Sequence, residues 1–233
     1  MGEFFDELVR YLSNPNNQDR LLRMLTQHVY LALLPVVCGV VLAVGLGWVG
    51  SRWRAARAVI VVGANLLYTI PSLALFVVIP GIIGTQILNP VNVIVALTIY
   101  STALMVRPVL DALGSVPSDV LASATAMGYR PARRFLGVEL PLAVPVLTAG
   151  TRVASASNIS LVSVGALIGV GGLGVLFTEG FQRGDGYFPP IVVGIVLTLL
   201  LALVADFLLV QLRRRLTPWQ RTRQPAEAVV EQP

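Results

Sequence analysis

The chain has no lysine, one cysteine and one histidine, and only 12% of its 233 residues are charged. Each scarcity removes a class of protein. Without lysine, no residue can complete a nucleotide-binding phosphate loop. One cysteine, Cys38, and one histidine, His28, cannot build a disulfide framework or a structural zinc site, so neither a metal nor a cofactor is expected. Cys38 lies inside an apolar run and reads as a small packing residue. No nucleophile stands near His28 at a recognisable spacing, so no catalytic residue is assigned and no enzyme is expected. A soluble domain carries about 25% charged residues, and this chain has too few to cover a water-facing surface. All 17 basic residues are arginine, clustered beside apolar runs without interleaved aromatics. That pattern excludes a nucleic-acid interface and points to a lipid bilayer.

What the chain does have is apolar length. It is 55% hydrophobic with a mean hydropathy of +0.78. No charged residue occurs over 24–51 or over 58–106, runs of 28 and 49 positions. A spanning helix needs about 20 apolar residues, so the first run holds one span and the second holds two, divided by Pro80, Gly81, Gly84, Asn89 and Pro90. Two further apolar regions follow. The expected architecture is an all-α membrane protein with five spans, near 28–50, 58–80, 90–108, 141–168 and 190–212. Residues 1–25, with Phe4, Phe5, Leu8, Val9 and Leu12 at helical spacing before a break at Asn14-Pro15-Asn16-Asn17, read as an amphipathic helix lying on the outer surface. Residues 26–218 form the membrane domain. The tail 219–233 lacks apolar periodicity and is expected to be disordered. The first apolar run follows a mixed-charge stretch, which does not fit a cleaved signal, so that segment is expected to stay in the mature chain.

The arginines set the orientation. With five spans, twelve of them fall on one side (Arg52, Arg54 and Arg57, the four between 107 and 134, and the five after 212) and four on the other, with Arg152 inside a span. Positive charge is retained in the cytoplasm, so the N-terminus is expected outside and the C-terminus inside a plasma or inner membrane. Trp48 and Trp53 would flank the inner interface.

The longest inward loop, 115–140, carries the strongest local signal. Pro117-Ser118-Asp119 reads as a helix start capped by Ser118 or Asp119. A short helix of small residues follows to Met127. Gly128 suits the left-handed conformation that ends a helix, and Pro131 suits the first turn of a second short helix running to Val138. The expected product is two short helices joined at Gly128-Tyr129-Arg130, an elbow projecting toward a partner.

This loop resembles that of ABC importer permeases, whose motif is Glu-Ala-Ala, three residues, Gly, nine residues and Ile-x-Leu-Pro. The chain has Ala122-Ser123-Ala124, three residues, Gly128, nine residues and Val138-Glu139-Leu140-Pro141. The spacing is kept, and Ala122 and Ser123 depart from the usual Glu and Ala. The resemblance implies a type I importer permease fold. It also implies that Leu121, Ala122, Ser123, Ala124, Gly128, Tyr129, Arg130, Pro131, Leu140 and Pro141 couple the chain to a separate ATP-binding subunit. A second permease, identical or a close homologue, and an external substrate-binding protein are implied too, since no binding domain is fused to the stretch. Thr69-Ile70-Pro71-Ser72-Leu73-Ala74-Leu75, Ala149-Gly150-Thr151-Arg152, Ala166-Leu167-Ile168-Gly169 and Arg215-Leu216-Thr217-Pro218 resemble the osmoprotectant subfamily for glycine betaine, choline and carnitine. A methionine or other amino-acid permease is the runner-up. A secondary transporter is the alternative of another class, though no carboxylate lies mid-span and no second matching half is visible.

Candidate path residues are polar groups at helical spacing within the spans: Asn65, Tyr68, Thr69 and Ser72; Ser101 and Thr102; Thr151, Ser155 and Asn158. They read equally as small hydrogen-bonding contacts between helices. Arg152 lies about 16 Å into its span at helical rise, and pairing with carbonyls or a carboxylate such as Glu179 is expected. Asp206 and Arg107 lie near enough to span ends to snorkel. Gly169, Gly171, Gly172 and Gly174 formally match a dinucleotide fingerprint, but no strand precedes them and no acidic residue follows at the required distance. They read as a gate or a tightly packed turn at the outer end of the fourth span.

Overall fold

A computed structural model describes residues 2–184 and 187–219. The tail expected to be disordered therefore lies outside the described residues, apart from Trp219. Among the described residues every regular element is helical, as expected. Helix α1 (Gly2–Ser13) is followed after a single residue by α2 (Pro15–Arg52), then by α3 (Arg54–Thr69), α4 (Ser72–Ile83) and α5 (Pro90–Gly114). The short α6 (Ser118–Ala126) and α7 (Pro131–Arg134) precede a π-helical turn (Phe135–Glu139) and α8 (Leu140–Gly165). A 3₁₀ turn, α9 (Gly174–Arg183) and α10 (Pro189–Leu216) complete the order. Four helical stretches, Pro15–Arg52, Pro90–Gly114, Pro131–Ile168 and Pro189–Leu216, are each long and apolar enough to cross a bilayer, and α3 with α4 makes a fifth.

Local chemistry explains the breaks. Asn14 caps α2 by accepting from the Asn16 N–H, with Pro15 supplying the pre-set first turn, and Asn89 and Pro90 repeat the device at α5. The break before α2 is thus one residue wide, and 15–25 continues into the first span instead of lying with α1. Asn17 and Gln18 donate back to the Tyr11 and Leu12 carbonyls at 2.9 and 2.8 Å, closing the end of α1. That helix is not simply surface-bound. Leu8 and buried Tyr11 pack with Leu173, Leu176 and Val193, whereas Phe5, Val9 and Leu12 face outward. Burial pushes the Tyr11 hydroxyl above its ordinary pKa, partly opposed by Arg20.

The second span is not one helix. Residues 54–69 and 72–83 meet at 104°. Pro71 lacks an N–H and forces Ile70 into an extended conformation (φ −66°, ψ 129°), so α3 stops there. The freed Ile70 carbonyl accepts from the Tyr100 hydroxyl of α5, which satisfies a group that lipid cannot.

Lipid gives helices no hydrophobic reason to associate, so close packing must hold the bundle. The closest partners are α2 and α5, which also pack on α8. Leu31, Phe76, Leu97 and Ile159 are buried at their junction. Gly39 of α2 lies directly against the Ser101 and Thr102 backbone of α5. Leu34, Val37 and Val41 on α2 and Leu199, Leu203 and Phe207 on α10 face outward.

Candidate functional site: the elbow at the arginine-rich end

Helix α6 starts from Pro117, not from a Ser118 or Asp119 side-chain cap, since no side-chain cap bond forms. It ends at Gly128, whose φ is +83°. The Gly128 N–H donates to Thr125 O at 2.9 Å and the Tyr129 N–H to Ala124 O at 3.1 Å. These two bonds are the Schellman closure that a left-handed residue permits. Arg130 is extended, and Pro131 opens α7. The second arm differs from expectation: it is no separate helix ending at Val138. It runs through the π turn directly into α8, so the elbow has one free arm, α6, and one stem fused to the fourth span.

The free arm presents small side chains. Ala122, Ser123, Ala126 and Met127 are exposed, Leu121 and Tyr129 are half-buried, and Ala124 is buried against the stem. Arg130 and Pro131 are exposed at the bend, whereas Leu140 and Pro141 are half-buried where α8 begins. The Arg133 guanidinium stacks over the Tyr129 ring at 5.3 Å.

An ion cluster behind the elbow was not anticipated. Glu139 is only 5% exposed. Its Oε1 accepts from Arg134 Nε at 2.9 Å and from Arg52 Nη2, at the end of α2, at 3.3 Å. Arg134 also donates through Nη1 to the Thr125 hydroxyl of α6 at 2.7 Å. Trp48 packs on Phe135 with ring centres 5.8 Å apart, and Arg52 lies over the Trp48 ring. The one available signal was that Glu139 is the only carboxylate between Asp119 and Glu179.

The polar stripes do not converge on one cavity within a single chain. Ser101 and Asn158 are buried and bond each other at 2.9 Å, and Asn158 also reaches Ala32 O at 3.2 Å. They join α2, α5 and α8. Thr102, with Thr98, lines a groove of about 290 Å³ between α2, α3 and α5. Thr151 and Ser155 line a different, largely apolar groove of about 400 Å³ between α2, α8 and α10. Asn65, Tyr68 and Thr69 are exposed on α3, and Ser72 is half-buried at the start of α4. Tyr68 packs edge-on against Tyr100, with ring centres 5.7 Å apart.

The glycine turn is firmly held. Gly169 and Gly172 adopt φ of +82° and +89°. The Gly172 N–H donates to Gln27 Oε1 at 3.2 Å and the Leu173 N–H to His28 Nδ1 at 3.1 Å, so Nε2 of the buried imidazole carries the proton, bonded to Ile159 O at 2.9 Å. A Cβ on Gly171 would collide with Gln27, and one on Gly174 would lie 2.7 Å from Ser163 Cα. The sequence alone assigned His28 no role; here it fixes the turn that opens α9.

Arg152 pairs with Asp206 of α10 through two hydrogen bonds, not with Glu179. Glu179 is taken by Arg20, while Asp206 is held by Arg152. Both members of the pair are 42% exposed on the surface of the single chain. Removing one partner leaves an uncompensated charge at membrane depth. Asp206→Asn alone is expected to lower the yield of membrane-inserted, detergent-stable protein, and Arg152→Leu with Asp206→Leu to recover it. Size-exclusion of the extracted protein checks the order; equal yields for the single and double variants would contradict it.

Among the described residues the chain is thus an all-helical bundle with a broken span and a projecting elbow. The fold matches that of the MetNI methionine ABC transporter in an inward-facing form, with a TM-score of 0.75 at 22% identity, over 88% of this chain and 99% of that one. The chain belongs to the family described as binding-protein-dependent transport system inner membrane component, which it matches over residues 36–218. It is 34% identical to the osmoprotectant import permease protein OsmW of Salmonella typhimurium, over 87% of this chain and 94% of that protein. It is 33% identical to the choline transport system permease protein OpuBB of Bacillus subtilis, over 91% and 94%. A third relative, the glycine betaine/carnitine/choline transport system permease protein OpuCB of Bacillus subtilis, is 30% identical over 87% and 91%.

Proposed function

We propose that this permease carries quaternary-amine osmoprotectants, of the choline, glycine betaine and carnitine type, in an ABC importer. The observation that carries the reading is that relatives with those names align along almost the whole chain, elbow included. The chain is non-catalytic in this reading. An ATP-binding subunit seats α6, a second permease completes the path, and an external binding protein delivers the solute. The arginine-rich end, with the elbow and α10 terminus, faces the cytoplasm, and α1 lies outside. Asn65 and Thr69, exposed in the single chain, support a path shared with a second permease, since a polar face turned to lipid is costly. ATP binding by the partner closes its dimer, displaces α6 and turns the path outward. The glycine turn, held by Gln27 and His28, is the packed closure at the outer end of the fourth span rather than a moving gate.

The test is reconstitution of the permease with its ATP-binding subunit and binding protein in vesicles, with labelled choline, glycine betaine, carnitine and methionine. ATP-dependent uptake of one of the first three is expected. Uptake of methionine alone would move the chain to the amino-acid class, and uptake without nucleotide would make it a secondary transporter. Ala122→Arg, on the exposed face of α6, is expected to abolish stimulation of ATP hydrolysis by the loaded binding protein.

A further inference from the structure

Helix α6 has little hold on the bundle. Among its residues only Ala124 is buried, and it packs chiefly on α7 and the π turn. A helix so loosely seated cannot move the bundle by packing alone. It has, however, a polar connection to the far end of α2. Thr125 of α6 accepts from Arg134, Arg134 donates to Glu139, and Glu139 accepts from Arg52, the last residue of α2 and 87 positions earlier. Four side chains thus join an exposed arm to the helix that packs against α3, α5 and α8.

We infer that Glu139 is a positioning residue for coupling: clamped between Arg134 of the stem and Arg52 of α2, it transmits displacement of α6 to the inner end of α2. The inference rests on the coupling role proposed for α6. Three features support transmission over mere bracing. The π turn over Phe135–Glu139 separates Arg134 and Glu139 by five positions, and the wider turn brings the two side chains together on the stem. The joint is graded: the Thr125 contact is solvent-exposed, where a load on α6 first arrives, whereas Glu139 is nearly inaccessible and cannot exchange its arginine partners for water, so the load passes on to α2. Arg52 is held on a second side by the Trp48 ring, which packs on Phe135 of the same π turn. The α2 end and the stem therefore move as one body.

The experiment uses the full transporter in vesicles and reads solute moved per ATP hydrolysed, together with recovery of the ATP-binding subunit on purification. Glu139→Gln is expected to keep the subunit bound and lower solute per ATP by about tenfold. Thr125→Val, at the exposed end, is expected to lower it in the same direction, and the double variant to be no worse than Glu139→Gln. Glu139→Asp, which keeps the carboxylate, is expected to retain most of the ratio lost in Glu139→Gln. An unchanged ratio in Glu139→Gln overturns the inference, as does loss of the bound subunit without a change in the ratio. Should Glu139→Gln fail to accumulate, Thr125→Val decides alone, and a wild-type ratio there overturns it. Ala122→Arg separates the two levels: if it leaves subunit binding and transport intact, the coupling role of α6 fails. If it abolishes them while Glu139→Gln and Thr125→Val behave as wild type, only the relay fails.

Discussion

Gly39→Leu is expected to eliminate folded protein from the membrane. Gly39 lies at the crossing of α2 and α5, the most extensive helix contact in the bundle. A Cβ there would overlap Ser101 Cβ and lie 2.9 Å from Thr102 N and 3.0 Å from Ser101 C. Two of those three atoms are backbone, so no rotamer change relieves the clash and α5 itself must move. Moving α5 also parts Ser101 from Asn158, whose amide bridges to Ala32 O on α2. Added methylenes in a packed core cost about 1–3 kcal/mol, and the lost polar junction adds about 0.6 kcal/mol per interhelical bond in a membrane. Gly39→Ala should therefore give a thermally weakened but recoverable protein, and Gly39→Leu no monodisperse peak on fluorescence-detected size exclusion. Gly45→Ala is the control. It has nothing within 4 Å, and removing a mid-helix glycine is worth roughly 0.5–1 kcal/mol in its favour. A normal Gly39→Leu peak would mean that α2 and α5 do not cross at this point.

The same crossing shows what a sequence can and cannot display. The absence of charge over 24–51 fixes a span because every residue in lipid obeys the same local rule. Gly39 within that span carries no mark, because the residue it makes room for, Ser101, lies far along the chain on α5. A kink at Pro71 is readable from the residue alone, since its missing N–H is a property of proline itself. The 104° angle is not, because it depends on Tyr100 taking up the freed carbonyl. Helical spacing put Thr151, Ser155 and Asn158 on one stripe, yet Asn158 turns toward Ala32 and Ser101 whereas Thr151 and Ser155 border a groove shared with α10. A stripe is wider than one neighbour, and only packing decides which neighbour each residue meets.

Charge pairing was the least legible feature. Arg152 was expected to meet carbonyls or Glu179, and Asp206 to snorkel from a span end, because spacing along the chain does not say which helices become neighbours. In the structure Arg20, near the N-terminal end of α2, holds Glu179, and Arg152 pairs with Asp206. The family and the all-helical, five-span class, by contrast, were readable. The elbow motif is written in Gly and Pro, whose backbone restrictions act locally and survive ignorance of every tertiary contact.

That locality makes Gly128→Val the sharpest test of the elbow. The residue has a φ of +83° and nothing within 4 Å of an added Cβ, so any effect comes from the backbone and not from crowding. A non-glycine residue held there is strained by about 1–3 kcal/mol, and a β-branched one is the least tolerant. At about 1.4 kcal/mol per tenfold, the native bend should fall about five- to a hundredfold relative to alternatives. Relaxing φ removes the Gly128-to-Thr125 and Tyr129-to-Ala124 bonds and swings α6 away from its stem. Because α6 buries only Ala124, the bundle itself should keep its thermal stability and membrane yield. The expected result is a correctly inserted permease whose solute uptake in vesicles drops about tenfold or more. Gly128→Asn distinguishes conformation from size, since asparagine visits the left-handed region routinely. Near-normal uptake with Asn beside a collapse with Val would tie transport to this one dihedral angle. Equal activity in both variants would show that the left-handed bend is dispensable, and with it the orientation of α6 that the rest of the coupling argument requires.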